Sequence, residues 1–421
     1  MKPINSIHWS KGNFNKFFQE DLYGRFDSDS NIILSRGSWE DNHVVYPKLF
    51  SFCLNYSLDK HWAGYSDSLG HNNSFEAICK FANLYFNDSR YYYKNDNVAI
   101  TMGNVFALNQ IFCHLKTLIP KAELIALKPF YPSILKSASR NFKKVKFISS
   151  LDTEDEILLN IAAKLESKSS KILLLTNAIG VEGRIFSEIF WQGVLKIINN
   201  RDVYLIIDEG MWFEPLKYPQ EINNSNVIRV VSFSKKFGIP GMKLGFMLAS
   251  KEYLSKYYDW ASSNYGGPPS IFFLLIEFIC FFEYIQHSST DQTKELIFLS
   301  ERYGIELEKL AELYYDFVDS TKQNQYKLGS NQKTLRKWLD ENKTYIEAAY
   351  DFGGINVLIL PKIAGSSYNL FLSLIKNGAS IFPGACIGDD TDSLFRVTLL
   401  ESQENFCLGL KLLGKTLNEY K

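Results

Sequence analysis

From Asn97 onward, short apolar runs recur along the chain, separated by stretches of helical periodicity. Val98–Thr101, Glu123–Leu127, Val145–Ile148, Ile172–Thr176, Val203–Asp208, Val227–Phe233 and Leu244–Ala249 each read as a strand. Between them, Val105–Leu118 and Phe186–Ile198 repeat apolar positions every three or four residues, as one face of a helix does. Strands that are apolar throughout, rather than alternately, are covered on both faces. They predict an α/β fold with a mostly parallel sheet between helices. Beyond an apolar helix, Glu295–Phe317 predicts a long amphipathic helix, and Ile355–Leu360, Ser380–Phe382 and Phe395–Leu400 predict further strands. The first fifty or so residues are irregular, punctuated by Gly12, Gly24 and Gly37. The expected organisation is an N-terminal segment at 1–55, a large domain at 56–290 and a C-terminal part at 291–421. The two terminal segments together make a smaller α+β domain.

Composition narrows the class without changing that picture. Of 421 residues, 46% are hydrophobic and 22% charged, ordinary for a soluble globular chain. Lysine plus arginine equals aspartate plus glutamate at 46 each, so no global field favours nucleic acid or an anionic membrane. The six cysteines form no CxxC pair and no zinc-like spacing, which suits free thiols in a reducing compartment. Met1-Lys2-Pro3-Ile4 does not open a signal peptide, and the apolar stretch Ile271–Ile285 is interrupted by Glu277 and Glu283. A cytoplasmic protein is expected, with neither nucleic acid nor membrane as partner. None of the six histidines pairs with another as a metal site would require, so no metal is expected.

The strongest chemical signal runs from Ser232-Phe233-Ser234-Lys235-Lys236-Phe237-Gly238 through Ile239-Pro240-Gly241-Met242-Lys243-Leu244-Gly245. A strand ends, a lysine follows at once, and a Gly/Pro-rich loop brings a second cation. Ligands of α/β sheets bind at the carboxyl ends of the strands. A lysine desolvated there can lose its proton and become a Schiff-base nucleophile. Taken alone, a surface lysine before a glycine turn would read the same way.

The stretch resembles the cofactor-lysine signature of the class I/II aminotransferases, the fold type I pyridoxal 5'-phosphate (PLP) enzymes. The resemblance implies that Lys235 bonds PLP as a Schiff base in the large domain, and that Ser232, Ser234 and Lys243 hold its phosphate. Lys243 stands where the family usually has arginine, so the charge is kept and the bidentate fork is lost. Upstream, Tyr204-Leu205-Ile206-Ile207-Asp208-Glu209 is an apolar strand ending in a carboxylate, similar to the family's D-E-x-Y motif. By that resemblance Asp208 meets the protonated pyridine nitrogen, whose charge makes the ring an electron sink.

Four weaker matches follow the family's order along the chain. Thr101-Met102-Gly103-Asn104-Val105 joins a strand to a helix start, whose free N–H groups suit an anion. The resemblance implies phosphate contacts from Gly103, Asn104 and Val105. Lys128-Pro129-Phe130-Tyr131-Pro132 places Tyr131 where the family stacks an aromatic on the cofactor. Tyr65-Ser66-Asp67-Ser68-Leu69-Gly70 matches a Y-x4-G pattern whose tyrosine reaches the neighbouring subunit's phosphate, implying a homodimer with shared active sites. Near the end, Phe395-Arg396-Val397-Thr398 offers Arg396 as the clamp on a substrate α-carboxylate, a task suited to a planar fork. Gly37 is the expected backbone contact to the same carboxylate, although a plain turn glycine reads identically.

Two positions depart from the pattern. The loop Asn177-Ala178-Ile179-Gly180-Val181-Glu182-Gly183 puts Gly180 at a usual asparagine, and Met211 stands at the D-E-x-Y tyrosine. Neither side chain can donate to the cofactor's phenolic oxygen, which leaves Asn177 or Trp212 as substitutes. The leading expectation is a PLP-dependent aminotransferase acting on an α-amino acid or a related small amine, with Lys235 and Asp208 catalytic. The alternative is another PLP reaction on an amino acid: elimination, replacement, cyclisation or oxidation. A catalytically silent protein of this fold would have no chemical need for Lys235 and Asp208.

Overall fold

In the computed structural model, which describes residues 32–40, 43–60, 62–85, 93–166, 170–213, 216, 218–219, 226–363 and 365–420, the apolar runs assemble as expected. Residues 1–31, including Gly12 and Gly24, lie outside the described residues. A two-residue strand, β1 (Ile32–Ile33), opens the described chain. The seven strands that follow are β2 (Val98–Thr101), β3 (Glu123–Lys128), β4 (Val145–Ser149), β5 (Lys171–Thr176), β6 (Val203–Glu209), β7 (Val227–Ser232) and β8 (Gly245–Leu248). They form one sheet in the order β2-β8-β7-β6-β5-β3-β4, in which only β8 runs against its neighbours.

The pleat explains why these strands are apolar at every position. Leu173, Leu175, Leu205 and Ile207 face one core, while Ile172, Leu174 and Ile206 face the other. Each such side chain contributes about 1.5–3 kcal/mol when it leaves water completely. Helix Gly103–Leu118 covers one face with Ala107, Leu108, Ile111 and Phe112. On the other face helix Asn72–Ala82 packs along helix Phe273–His287. The segment Ser270–His287 is long and apolar enough to cross a membrane by composition alone, yet most of it is buried inside the fold. Its two carboxylates are paired there: Glu277 with Tyr303 and Arg302, Glu283 with Lys236.

The smaller domain contains β9 (Ile346–Tyr350), β10 (Asn356–Pro361), β11 (Ala379–Ser380), β12 (Phe382–Pro383) and β13 (Phe395–Thr398). Four of these make an antiparallel sheet in the order β12-β13-β10-β9, while β1 pairs in parallel with β11. The N-terminal segment therefore completes the smaller domain, with Ile32 and Leu34 in its core.

The predicted helix at Glu295–Phe317 is two helices, Gln292–Tyr303 and Leu307–Glu341. Gly304 ends the first in a left-handed conformation at φ +63°, the usual glycine stop that apolar periodicity does not reveal. Leu296 to Phe317 still pack into the larger core, as do Leu49, Phe50 and Cys53. The 35-residue helix thus reaches both cores, since Leu335 and Trp338 belong to the smaller one.

Candidate active site

Register alone gathers the first part of the site. Thr101 lies opposite Gly245, and Gly245 opposite Ser232, so the ends of β2 and β7 sit side by side with β8 between them. Gly245 cannot be larger: a Cβ there would stand 2.4 Å from the Val231 carbonyl oxygen. Directly after β2, helix Gly103–Leu118 begins with no side-chain cap, so its first N–H groups point unclaimed from the strand edge. Gly103 adopts φ +71°, which glycine tolerates and other residues rarely do. The Thr101 hydroxyl and the Asn104 Oδ1 are buried without partners. Ser232 Oγ donates to Ser234 Oγ at 2.9 Å, and the Ser234 N–H returns to Ser232 Oγ at 3.1 Å. Lys243, exposed and at φ +55°, has neither hydrogen-bond nor ion-pair partner among the described residues. Uncapped helix N–H groups, three hydroxyls and a free cation make an anion cradle.

Asp208 sits one residue before the end of β6, buried at 5% exposure. Asn104 Nδ2 donates to its Oδ1, as does the Gly210 N–H at 3.0 Å. Burial raises its carboxyl to about 6, with the Asn104 bond and then Gly210 opposing that rise. It is therefore mostly ionised at neutral pH and ready for a cationic partner. The next residue, Glu209, faces the other way and binds Arg229 through two bonds of 2.8 and 3.0 Å. Tyr218 donates to Glu209, and Asn177 Nδ2 donates to Tyr218.

Lys235 follows β7 by three positions. Trp39 Nε1 donates to its carbonyl at 2.9 Å, and its own Nζ donates to the Gly37 carbonyl. Burial pulls the amine down to about 8, assisted by the nearby charges of Arg396 and Lys243. Three cations thus converge with no carboxylate among those acting on Lys235, an arrangement suited to anionic ligands. Arg396, on β13 and 5% exposed, donates through Nη2 to the carbonyls of Ser35 and Arg36 at 2.6 and 3.2 Å. Its Nε is buried without a partner, and its guanidinium lies 4.4 Å from the centre of the Phe382 ring. Burial lowers it to about 10, and Tyr131 acts in the opposite direction, so Tyr131 lies within electrostatic reach of Arg396.

The remaining expected residues are placed as follows. Tyr131 is 43% exposed at the start of helix Pro132–Asn141, while its neighbour Phe130 stacks in the core on Phe147. Val105 is exposed in the first turn of its helix, and Tyr65 is fully exposed. Asn177 is buried in a structural role, accepting from the Phe186 N–H while it donates to Tyr218. Trp212 Nε1 donates to the Ser232 carbonyl. Both substitutes for the missing donors are therefore engaged elsewhere. Gly180 and Met211, flagged separately in the sequence, touch: a Cβ at 180 would lie 3.1 Å from Met211 Cγ.

Four contributions escaped the sequence reading: Trp39 behind Lys235, the Asn104 side chain on Asp208, the Thr101 hydroxyl, and the buried pair of Lys236 with Glu283 at 2.6 Å. The Asn104 position was in view, but only for its backbone.

Comparison with known proteins bears on the family and the fold. The family model for aminotransferase class I and II matches residues 54–298. An aspartate aminotransferase of Sulfurisphaera tokodaii is 26% identical over 269 residues, 61% of this chain and 64% of that protein. A histidinol-phosphate aminotransferase of Methanocaldococcus jannaschii is 27% identical over 137 residues, 31% of this chain and 35% of that one. The chain thus spans less than two thirds of the length of these relatives. Among solved structures, an archaeal alanine:glyoxylate aminotransferase superposes with a TM-score of 0.74 at 18% identity, covering 98% of this chain and 97% of that one. Aspartate aminotransferase from Thermus thermophilus with maleate gives 0.71 at 16%, covering 92% of each; at such identities the likeness concerns the fold.

Proposed function

The chain belongs to the class I and II aminotransferases, whose members depend on PLP, and from that premise we propose that it transfers the amino group of an α-amino acid or a related small amine. The observation that carries the reading is that Lys235 and Arg396 donate to the neighbouring carbonyls of Gly37 and Arg36, while the backbone of Lys243 lies against Gly103. The residues fit the cofactor. The partnerless Thr101 hydroxyl, the uncapped helix start and the unpaired Lys243 suit a phosphate. Gly103, Asn104, Val105, Ser232, Ser234 and Lys243 would hold that phosphate, Asp208 the pyridine nitrogen, and Tyr131 the ring face. Lys235 would form the covalent link. When bound, PLP supplies an electron-withdrawing ring that stabilises negative charge at the carbon bearing the amine.

The protein's own groups set the rest. With its amine lowered to about 8, Lys235 has a substantial neutral fraction just above neutral pH and can take and return a proton. Asp208, ionised above about 6, keeps a proton on the group it faces. The orphaned Nε of Arg396 offers a donor to a carboxylate beside the Nη2 now used on backbone. A homodimer belongs to the same reading, with the fully exposed Tyr65 reaching the second subunit. Six free cysteines support a reducing, cytoplasmic setting.

A second reading, another PLP reaction on an amino acid, draws on Met211 packed against Gly180, since neither offers a side-chain donor. One panel separates the two. Holoenzyme is incubated with single amino acids, and aminotransfer predicts that pyridoxamine phosphate accumulates with at least one of them. Ammonia release or oxygen consumption without pyridoxamine phosphate would favour the second reading, and no turnover at all would sink both.

A further inference from the structure

The segment Leu34–Glu40 crosses the site as a strap tied at both ends. The Leu34 carbonyl accepts from the Thr398 N–H at 2.8 Å, next to Arg396 on β13. Glu40 donates its N–H to the Leu400 carbonyl and accepts from Ser402 N–H and Asn405 Nδ2. Between these ties the carbonyls of Ser35 and Arg36 receive Arg396, and that of Gly37 receives Lys235. Two side chains anchor the middle. Ser35 Oγ meets Ser380 Oγ at 2.9 Å, and Arg36 Nε donates to Glu401 Oε1 at 2.7 Å.

The second anchor is unusual. Glu401 is 1% exposed, and Arg36 is the cation it pairs with. A carboxylate is costly to bury unless its partner is held firmly. Glu401 is itself held, because Asn331 Nδ2 donates to its carbonyl at 2.7 Å and to that of Leu399 at 3.0 Å. The long helix Leu307–Glu341 therefore fixes the backbone at Glu401, Glu401 fixes Arg36, and Arg36 fixes the carbonyls that hold Arg396.

We propose that Arg36 and Glu401 are a positioning pair for carboxylate binding: they hold the Ser35–Gly37 backbone so that Arg396 stays aimed, with its Nε unfilled, at an incoming α-carboxylate. This rests on the reading of Arg396 as the carboxylate clamp. Arg36 and Glu401 take no part in proton transfer, so they govern the occupancy of the site rather than the rate once it is filled. Loosening the strap leaves Arg396 charged but free to rotate among carbonyls, and geometry lost in this way appears as weaker binding.

The test uses the PLP-loaded full chain and its Glu401→Gln and Arg36→Lys variants. L-Aspartate is the reacting probe, followed by the cofactor absorbance in single turnovers, and succinate, which has no amine, is the binding probe followed by calorimetry. For Glu401→Gln the half-saturating L-aspartate concentration should rise roughly tenfold with the limiting rate within about twofold, and succinate should weaken similarly. Arg36→Lys, which keeps the charge, should recover part of the loss. Thermal unfolding separates a variant that has merely lost stability. If variants folded at the assay temperature show unchanged half-saturation, or lose limiting rate instead, the proposal is overturned. If the parent does not react with L-aspartate, the amino acid of the single-amino-acid panel that does react replaces it; a parent that reacts with none of them and does not bind succinate overturns the proposal together with the reading of Arg396. A responsive parent with unresponsive variants overturns the pair alone.

Discussion

Single residues carry the chemistry, and their environments decide what they can do. Asp208 is held by Asn104 and the Gly210 N–H, two donors that favour the carboxylate over the acid and counter its burial. An asparagine at 208 would keep the shape and lose the charge. Asp208→Asn should therefore bind the cofactor, keep the fold, and react with its amino acid at least about a hundredfold more slowly. Stopped-flow measurement of the half-reaction checks this, and a loss below about threefold would remove Asp208 from its role. Lys235, Asp208 and Arg396 can be singled out in the sequence because each falls in a local motif on a strand or just after one. Trp39 and Thr101 were not, since their part depends on partners such as the Lys235 carbonyl, 196 positions away in the case of Trp39. Asn177 shows the converse. Its motif suggested the cofactor, whereas its side chain is taken up by Tyr218 and the Phe186 N–H.

Among elements, the strands of the main sheet were legible because two-sided burial leaves an unbroken apolar run. The edge strand β9 was missed, since its burial alternates and Glu347 is exposed. The long helix was cut short in the reading because its apolar stripe thins after Phe317, where polar residues such as Asn324 and Asn331 are buried instead. One contact between elements is demanding. The loop after β5 meets the turn before β10 glycine to glycine, so that a Cβ on Gly354 would stand 2.3 Å from Gly183 Cα. Beside it, Asn356 Nδ2 donates to the Gly180 carbonyl at 2.6 Å, and Arg184 lies 4.4 Å from the Phe352 ring centre. Backbone cannot yield as a flexible side chain does, so Gly354→Ala should destabilise the protein by about 2 kcal/mol or more. It should also lower the limiting rate by shifting the smaller domain that bears Arg396. Urea unfolding and turnover assays should move together; an alanine variant with parental stability would show that this junction is loose.

Across the whole molecule, buried ionisable groups make stability depend on pH. Glu182 is fully buried, takes one bond of 2.9 Å from Ser150, and has no hydrogen bond to its other oxygen, which Arg184 Nε approaches only to 3.7 Å. Burial pushes its carboxyl to about 7, with Ser150 and Arg184 opposing that rise. The folded state therefore holds this proton more tightly than the unfolded chain. The resulting stability is fully present below about pH 4.5 and is lost as pH rises through about 7. Glu182→Gln should remove that loss, on the order of 3 kcal/mol at most, and flatten the stability curve between those values. Denaturant titrations at pH 4.5, 6 and 8 would contradict this if parent and variant ran parallel. One long helix contributes to the cores of both the larger sheet and the smaller domain, so no shift of pattern in the sequence marks where one gives way to the other.

The central claim is that one ε-amine, that of Lys235, carries the cofactor. The direct measurement is to load the protein with PLP, reduce it with borohydride, digest it and locate the pyridoxyl group by mass spectrometry. The predicted result is a single modified lysine at position 235, with Lys236 unmodified because it is buried against Glu283. Modification at Lys236 or Lys243 instead, or no stoichiometric modification, would contradict the account.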